Sequence, residues 1–279
     1  RHDSLKNDLE FLPEGSYKWT PYRYWAKLNH LGQEIVAQSN PIPDFVAMCE
    51  VENDSVMFDL TRRSLLRNAG YEYVMTSSPD ERGIDVALLY QPASFALLHS
   101  HSIRIKPLPD TRPTRDILYA SGLVITGDTL HVFVVHAPSR RGGEQASRPY
   151  RLQVADRLAA AVDSIYAESR DAKIIVAGDF NDYADSPALK RLYQHHLINI
   201  SHDAQGAHGA KATYRWHGEW RSLDQIMCSP TMAAAKQKCQ IGDLPFLLEA
   251  CLVSSPKPCP DGSASAPKRH SSHQYRIAG

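Results

Sequence analysis

The stretch "KIIVAGDFNDYADSPALK", residues 173–190, runs from aliphatics into an Asp, an Asn and a second Asp within four positions. Ile174, Ile175, Val176 and Ala177 form a continuous apolar run, as expected of a strand covered on both faces. Ser186 followed by Pro187 reads as a helix N-cap with proline at the first helical position. A buried strand that ends in carboxylates delivers polar groups to the rim of a rigid sheet, where loops carry function. The rest of the chain is therefore read for other strands that end in the same way.

Seven further runs have strand character: "DFVAMCE", "YEYVMT", "IDVALLYQ", "FALLHSHSIRI", "DILYASGLVIT", "LHVFVVHA" and "SLDQIMC". Helices are predicted between them. Thr20 and Pro21 open one over residues 21–38, with Tyr24, Leu28, Leu31 and Ile35 recurring at helical spacing. A second is expected from Asp54 to Asn68, closed by Gly70. Ser147, with Pro149 just behind, is expected to start a third that carries Ala155, Leu158, Val162 and Ile165 on one stripe. Strand-rich stretches interrupted by helices imply sheets packed on each other with helices outside.

A chain of 279 residues with 43% hydrophobic content can bury one large core. Its 31 basic and 31 acidic residues cancel, so no global positive field favours nucleic acid, and no basic, aromatic-interleaved stripe stands out. No apolar run approaches the ~18–20 residues needed to span a bilayer. The opening "RHDSLKNDLE" has no hydrophobic core of a signal peptide and no initiator Met, so the natural start is expected to lie elsewhere and the compartment stays open. The five cysteines form no CxxC pair; Cys49 and Cys228 sit in apolar runs and read as small buried hydrophobes.

Four polar clusters fall at strand ends: Glu50, Glu52 and Asn53; His136 with the arginines of "SRRGG"; Asp179, Asn181 and Asp182; and Asp224 in "SLDQIMC". Each has an ordinary structural reading. Glu52 and Asn53 suit the cap of the next helix, while His136 and Asp182 suit turns. Asp224 within a strand needs a partner for its carboxylate. Together, carboxylates and an Asn supply the hard oxygen ligands that Mg²⁺ takes alongside water and phosphate, and an imidazole or arginine can stabilise charge growing on a phosphate. That set suits phosphoester hydrolysis.

"CEVEN", "RGIDVALLY", "RPTRDIL", "VVHAPSRRGGE", "AGDFND" and "LDQIM", in that order, resemble the endonuclease/exonuclease/phosphatase family, and most of all its uncharacterised bacterial members. The resemblance implies a four-layered α/β sandwich, two mixed sheets packed face to face with helices outside. It implies a site dependent on Mg²⁺ or Mn²⁺, with Glu50 as metal ligand, Asp179 positioning or deprotonating the attacking water, Asn181 holding the phosphate and His136 contacting it. Arg82, Arg115 and Arg140 are the candidate substrate contacts. The implied activity is a divalent-metal-dependent phosphodiesterase or nuclease. A small-molecule or lipid phosphatase is the alternative within that class, and a non-catalytic binding module is the alternative outside it. A phosphodiester or phosphomonoester, nucleic acid among them, is the implied partner, and a monomer is expected.

The chain departs from the family in two motifs. A first strand of the type "YNVEN" and a terminal "SDH" are both missing, so Asp224 lacks the histidine it would orient. His273 in "SSHQY" is the nearest stand-in, without an apolar strand around it. Residues 1–250 are read as one domain without the family's first strand. Residues 251–279, rich in Ser and Pro, are read as a disordered or divergent tail, and the abrupt change near Glu249 as a frame change or recombination.

Overall fold

The computed structural model describes residues 12–109, 111–236 and 238–245; the tail and His273 lie outside them. The chain order is α1 (Pro21–Ala37), β1 (Phe45–Val51), α2 (Asp54–Arg62), a short 3-10 helix (Leu65–Asn68), β2 (Glu72–Met75), β3 (Asp85–Tyr90), β4 (Phe95–Ile103), β5 (Ile117–Val124) and β6 (Thr129–His136). Then come α3 (Glu144–Glu168), β7 (Lys173–Asp179), α4 (Pro187–Tyr193), β8 (Ile198–Asn199), β9 (Tyr214–Trp216), β10 (Glu219–Arg221), β11 (Asp224–Cys228) and α5 (Pro230–Ala234). Each of the eight expected strands is present.

Two sheets stack with helices outside, the four-layered sandwich expected from the sequence. One orders its strands β1-β3-β2, and the other β4-β5-β6-β7-β11-β8. Pairing is antiparallel throughout the described part of the smaller sheet, whereas the larger mixes a parallel β6–β7 pair with antiparallel neighbours. Period-two alternation sorts the side chains into layers. Cys49, Val86, Leu88 and Tyr90 face Leu118, Ala120, Val132 and Val134 between the sheets. Val46, Met48, Ala87 and Leu89 point the other way, onto Leu28, Ile35, Met57 and Leu60 of α1 and α2. Ile117, Phe133, Val135, Ile174 and Val176 meet Val154, Leu158, Val162 and Leu189 of α3 and α4.

Caps fix the helices as expected in three places. Thr20 Oγ1 accepts from the Arg23 N–H (3.3 Å), Asn53 Oδ1 from Val56 (3.1 Å) and Ser186 Oγ from Leu189 (3.3 Å). Two helix boundaries differ from expectation. The predicted helix 54–68 is interrupted after Arg62, because Ser64 turns its hydroxyl back to Leu60 O and then caps the 3-10 turn through Leu66 N–H. Gly70 does follow at φ +76°. The other correction concerns α3, which begins at Glu144 rather than Ser147 and carries Pro149 inside it. Ser147 is no cap: its hydroxyl donates to Gly143 O (2.7 Å) and accepts from Arg151 Nη1 (2.7 Å). Pro149 lies in the second turn, where its missing N–H leaves one carbonyl of the first turn without its helical partner.

Cys49 and Cys228 are buried free thiols, as the apolar runs implied. Burial pushes both thiols up, Cys228 to about 11, so neither is a thiolate at neutral pH. Among the described residues no helix is long and apolar enough to cross a membrane.

Candidate functional site

The register of three neighbouring strands builds the site. His136 ends β6 and Asp179 ends β7, and they are parallel partners. Asp224 opens β11 and is the antiparallel partner of Asp179. One row across the larger sheet therefore holds His136, Asp179 and Asp224, with His136 Nε2 3.8 Å from Asp179 Oδ2. Both His136 and Asp179 are buried. Gly178, at φ +144°, lets β7 run this close to β6.

The smaller sheet contributes Glu50 through a bulge. The β1–β3 register slips between Cys49 and Val51, and Glu50 sits there at φ +56° with its side chain exposed. A β-bulge re-aims a side chain away from the strand's alternation. A positive φ at Glu is a conformation that costs about 1–2 kcal/mol. The Glu50 charge reaches Asp179, whose carboxyl holds its proton well above the usual carboxylate range. Burial is the largest cause, Asp224 the next, and Glu50 adds to them, while the Asn181 N–H and Arg115 oppose.

Asn181 follows in a tight turn at φ +48°. Its N–H donates to Asp179 Oδ1 (2.7 Å) and its Nδ2 to Ala137 O (3.0 Å), which ties the "GDFN" turn to the end of β6. Asp182, expected as a turn residue, also anchors α3, since Arg151 Nε donates to its carboxylate (2.9 Å) in a buried ion pair. Asp224 N–H donates to Thr213 Oγ1 (3.3 Å).

Crowded carboxylates raise one another's proton affinity, and a divalent cation relieves that repulsion. Among the described residues no three His, Cys, Asp or Glu side chains converge as a closed chelating set. The donors are hard oxygens, which suit a divalent cation held by one or two carboxylates and completed by water and substrate phosphate. Glu50 is the exposed carboxylate of the group.

The sequence profile of the endonuclease/exonuclease/phosphatase family matches residues 1–243. The chain belongs to that family. Its members are phosphoesterases, generally dependent on a divalent metal. No curated protein matches the chain. Among solved structures, the human Nocturnin catalytic domain with bound sulfate is 20% identical at a TM-score of 0.57, covering 74% of this chain and 75% of that one. The mannosyl-6-phosphatase of Bacteroides thetaiotaomicron is 16% identical at 0.57 (74% and 78% covered), and truncated TDP2 of Caenorhabditis elegans 16% at 0.54 (75% and 78%). At these identities the likeness is one of fold, that of the endonuclease/exonuclease/phosphatase sandwich.

The three arginines go to different places in this family member. Arg115 is buried and occupied: Nη1 donates to Asp80 Oδ2 (3.0 Å), Nε to His136 O (3.2 Å) and Nη2 to Ala137 O (2.7 Å). It locks the segment after His136 in place. Arg82 is half-exposed against Asp80. Arg140 lies over the Tyr183 ring, 4.3 Å from its centroid, and Arg221 lies 5.4 Å from the same centroid.

Arg221 belongs to a hairpin that the strand patterns of the sequence did not reveal. "YRWHGEWR", residues 214–221, pairs β9 with β10 around His217 and Gly218, both at positive φ. Tyr214 stacks on exposed Trp216 (11° between planes), and Arg215 lies over Trp220. Rings and guanidiniums alternate along this hairpin, and one of its two arginines, Arg221, is paired with Glu219 (3.3 Å). The hairpin's signal was that alternation in the sequence itself. Only Ser222 and Leu223 separate it from Asp224.

Proposed function

We propose that the chain hydrolyses phosphodiesters with a divalent cation, Mg²⁺ or Mn²⁺, held chiefly by Glu50. The observation that carries this reading is the single row of His136, Asp179 and Asp224 across three strands, with Glu50 brought to it by a bulge. The cation, when bound, supplies positive charge that polarises the phosphoryl oxygens and holds the substrate.

The chain's own residues do the rest. Asp179 Oδ1 is fixed by the Asn181 N–H, so its other oxygen is the one turned to His136. From there Asp179, once ionised, orients the attacking water and takes its proton. His136, beside it, bears on the phosphate as negative charge develops. Asn181, braced by Ala137 O, holds the phosphate next to Asp179. The charge of Asp224 keeps the Asp179 carboxylate a stronger base. The Tyr214–Arg221 hairpin favours a diester with rings to stack over a small monoester, because aromatic faces and guanidiniums stack bases regardless of sequence.

Hydrolysis of an aryl phosphodiester, set against the aryl monoester, with Mg²⁺ or Mn²⁺ and then with chelator, tests this. Turnover of the diester that stops with chelator and returns with metal is expected. Faster turnover of the monoester moves the reading to a phosphatase. Binding of cation and substrate without turnover of either makes the chain a binding module.

A further inference from the structure

A cleft of about 400 Å³, lined by Pro138 and Ser139 just past the end of β6, holds none of the groups of the row. Its volume lies within the roughly 300–1,000 Å³ of sites for small ligands. Three segments from the same rim enclose it: the β2–β3 connection, the segment before β5 and the segment after β6 that runs into α3. Arg115 is the shared wall: it is among the residues that line the cleft, and its guanidinium donates to the carbonyls of His136 and Ala137.

The lining is cationic. Arg82, Arg112, Arg115 and Arg141 stand against Asp80 and Glu81. Asp80 is buried and taken up by Arg115 (3.0 Å) and by the backbone and side chain of Arg82 (2.9 and 3.4 Å). Glu81 is paired with Arg112 at 3.3 Å, where Arg112 is 84% exposed, and Arg141 is exposed as well. Two acids thus face four guanidiniums. The crowding reaches Arg115, whose proton is held less tightly than an ordinary arginine's, through burial first and then repulsion from Arg82. An anion in the cleft relieves that repulsion. Guanidinium forks match phosphate oxygens two at a time.

The remaining walls suit what a phosphate is attached to. Pro107, Pro113 and Pro138 line the cleft with backbone whose φ is fixed in advance. Tyr150 of α3 is the aromatic residue of the lining.

We propose that this cleft holds a second, non-reacting phosphate of the substrate, so that the enzyme prefers molecules with two phosphates over those with one. The proposal rests on the phosphodiesterase reading for turnover, but binding in the cleft is measurable without it. The probes are thymidine 5′-(4-nitrophenyl phosphate) and the same ester with a 3′-phosphate. A preference of about tenfold in kcat/KM for the doubly phosphorylated ester is expected, carried by KM, which corresponds to about 1.4 kcal/mol. In the Arg112→Ala/Arg141→Ala double variant the preference falls to near unity. Both side chains are exposed, so the variant is expected to unfold at the wild-type midpoint.

If neither ester turns over, calorimetric binding of thymidine 3′,5′-bisphosphate against thymidine 5′-phosphate decides. Tighter binding of the bisphosphate that is lost in the double variant upholds the cleft while the hydrolysis reading falls. A parallel pair, glucose 1,6-bisphosphate and glucose 6-phosphate, separates phosphate from ring. A preference there too assigns the cleft to phosphate alone, and a preference confined to the thymidine pair adds a ring contact. Equal turnover and equal binding within both pairs, or a preference that survives the double variant, overturns the proposal.

Discussion

Asp179→Asn removes turnover and at the same time stabilises the metal-free protein. In the proposed reaction this carboxylate takes the proton of water, and loss of a positioned general base costs about 10²–10⁴-fold in rate. The stability gain follows from the raised proton affinity. Asp179 is buried beside Asp224 and within reach of Glu50, so its carboxyl in the folded chain titrates well above the unfolded value of about 3.9. Below that value both states are protonated and the variant gains nothing. As pH rises the unfolded chain loses the proton first, and stability of the parent falls until the folded carboxyl has also ionised. The neutral amide escapes this penalty, so its advantage opens above about pH 4 and grows with pH until the folded carboxyl of the parent ionises. Thermal unfolding of both proteins in chelator, at pH 4 and pH 7, reads the difference. An amide variant no more stable at pH 7, or one that still turns over substrate, contradicts the role given to Asp179.

Gly178→Ala is the second large effect, and it acts through the backbone. An added Cβ at Gly178 would lie 1.9 Å from Val135 O, and the residue sits at φ +144°, where side chains other than hydrogen are strained. β6 and β7 are parallel partners here, with Val135 opposite Gly178 and His136 opposite Asp179. Relief of the clash requires the two strands to part at the very row that carries the site. Positive-φ strain and overpacking together cost about 2–5 kcal/mol, a fall in Tm on the order of 10 °C for a chain of this size. Any folded remainder is expected to have lost turnover, because His136 no longer sits beside Asp179. Urea unfolding checks the first part, and a midpoint within about 0.5 kcal/mol of the parent, the range of an ordinary surface substitution, denies the close approach.

The strands were legible because burial on both faces leaves unbroken aliphatic runs, as in "KIIVAGDF" and "LHVFVVHA". The ends of those runs also located His136, Asp179 and Asp224, since a carboxylate or imidazole rarely ends such a run without being brought to a rim. The bulge at Glu50 was not legible. It depends on the pairing of β1 with β3, and "CEV" carries no glycine to announce a positive φ. Ser147 misled because its hydroxyl, inside the helix and four residues before Arg151, is spent on Gly143 O and on Arg151, which in turn holds Asp182. The break after Arg62 hinges on a single serine hydroxyl turning back onto its own helix. The Tyr214–Arg221 hairpin escaped because each of its strands has only three residues and neither is aliphatic. Arg115 illustrates a different limit: sequence located an arginine near the site, while its burial and its three backbone and carboxylate partners made it a tether.

The most direct test of a cation seat at this rim is thermal unfolding during a Mn²⁺ titration of the parent and of Glu50→Gln. At ten times Kd a cation that binds only the folded chain adds about 1.4 kcal/mol, a rise of roughly 3–6 °C. The parent is predicted to show that rise with saturation, and Glu50→Gln to need far more Mn²⁺ for the same shift. Identical titrations for the two proteins, or no shift in the parent, would contradict the account.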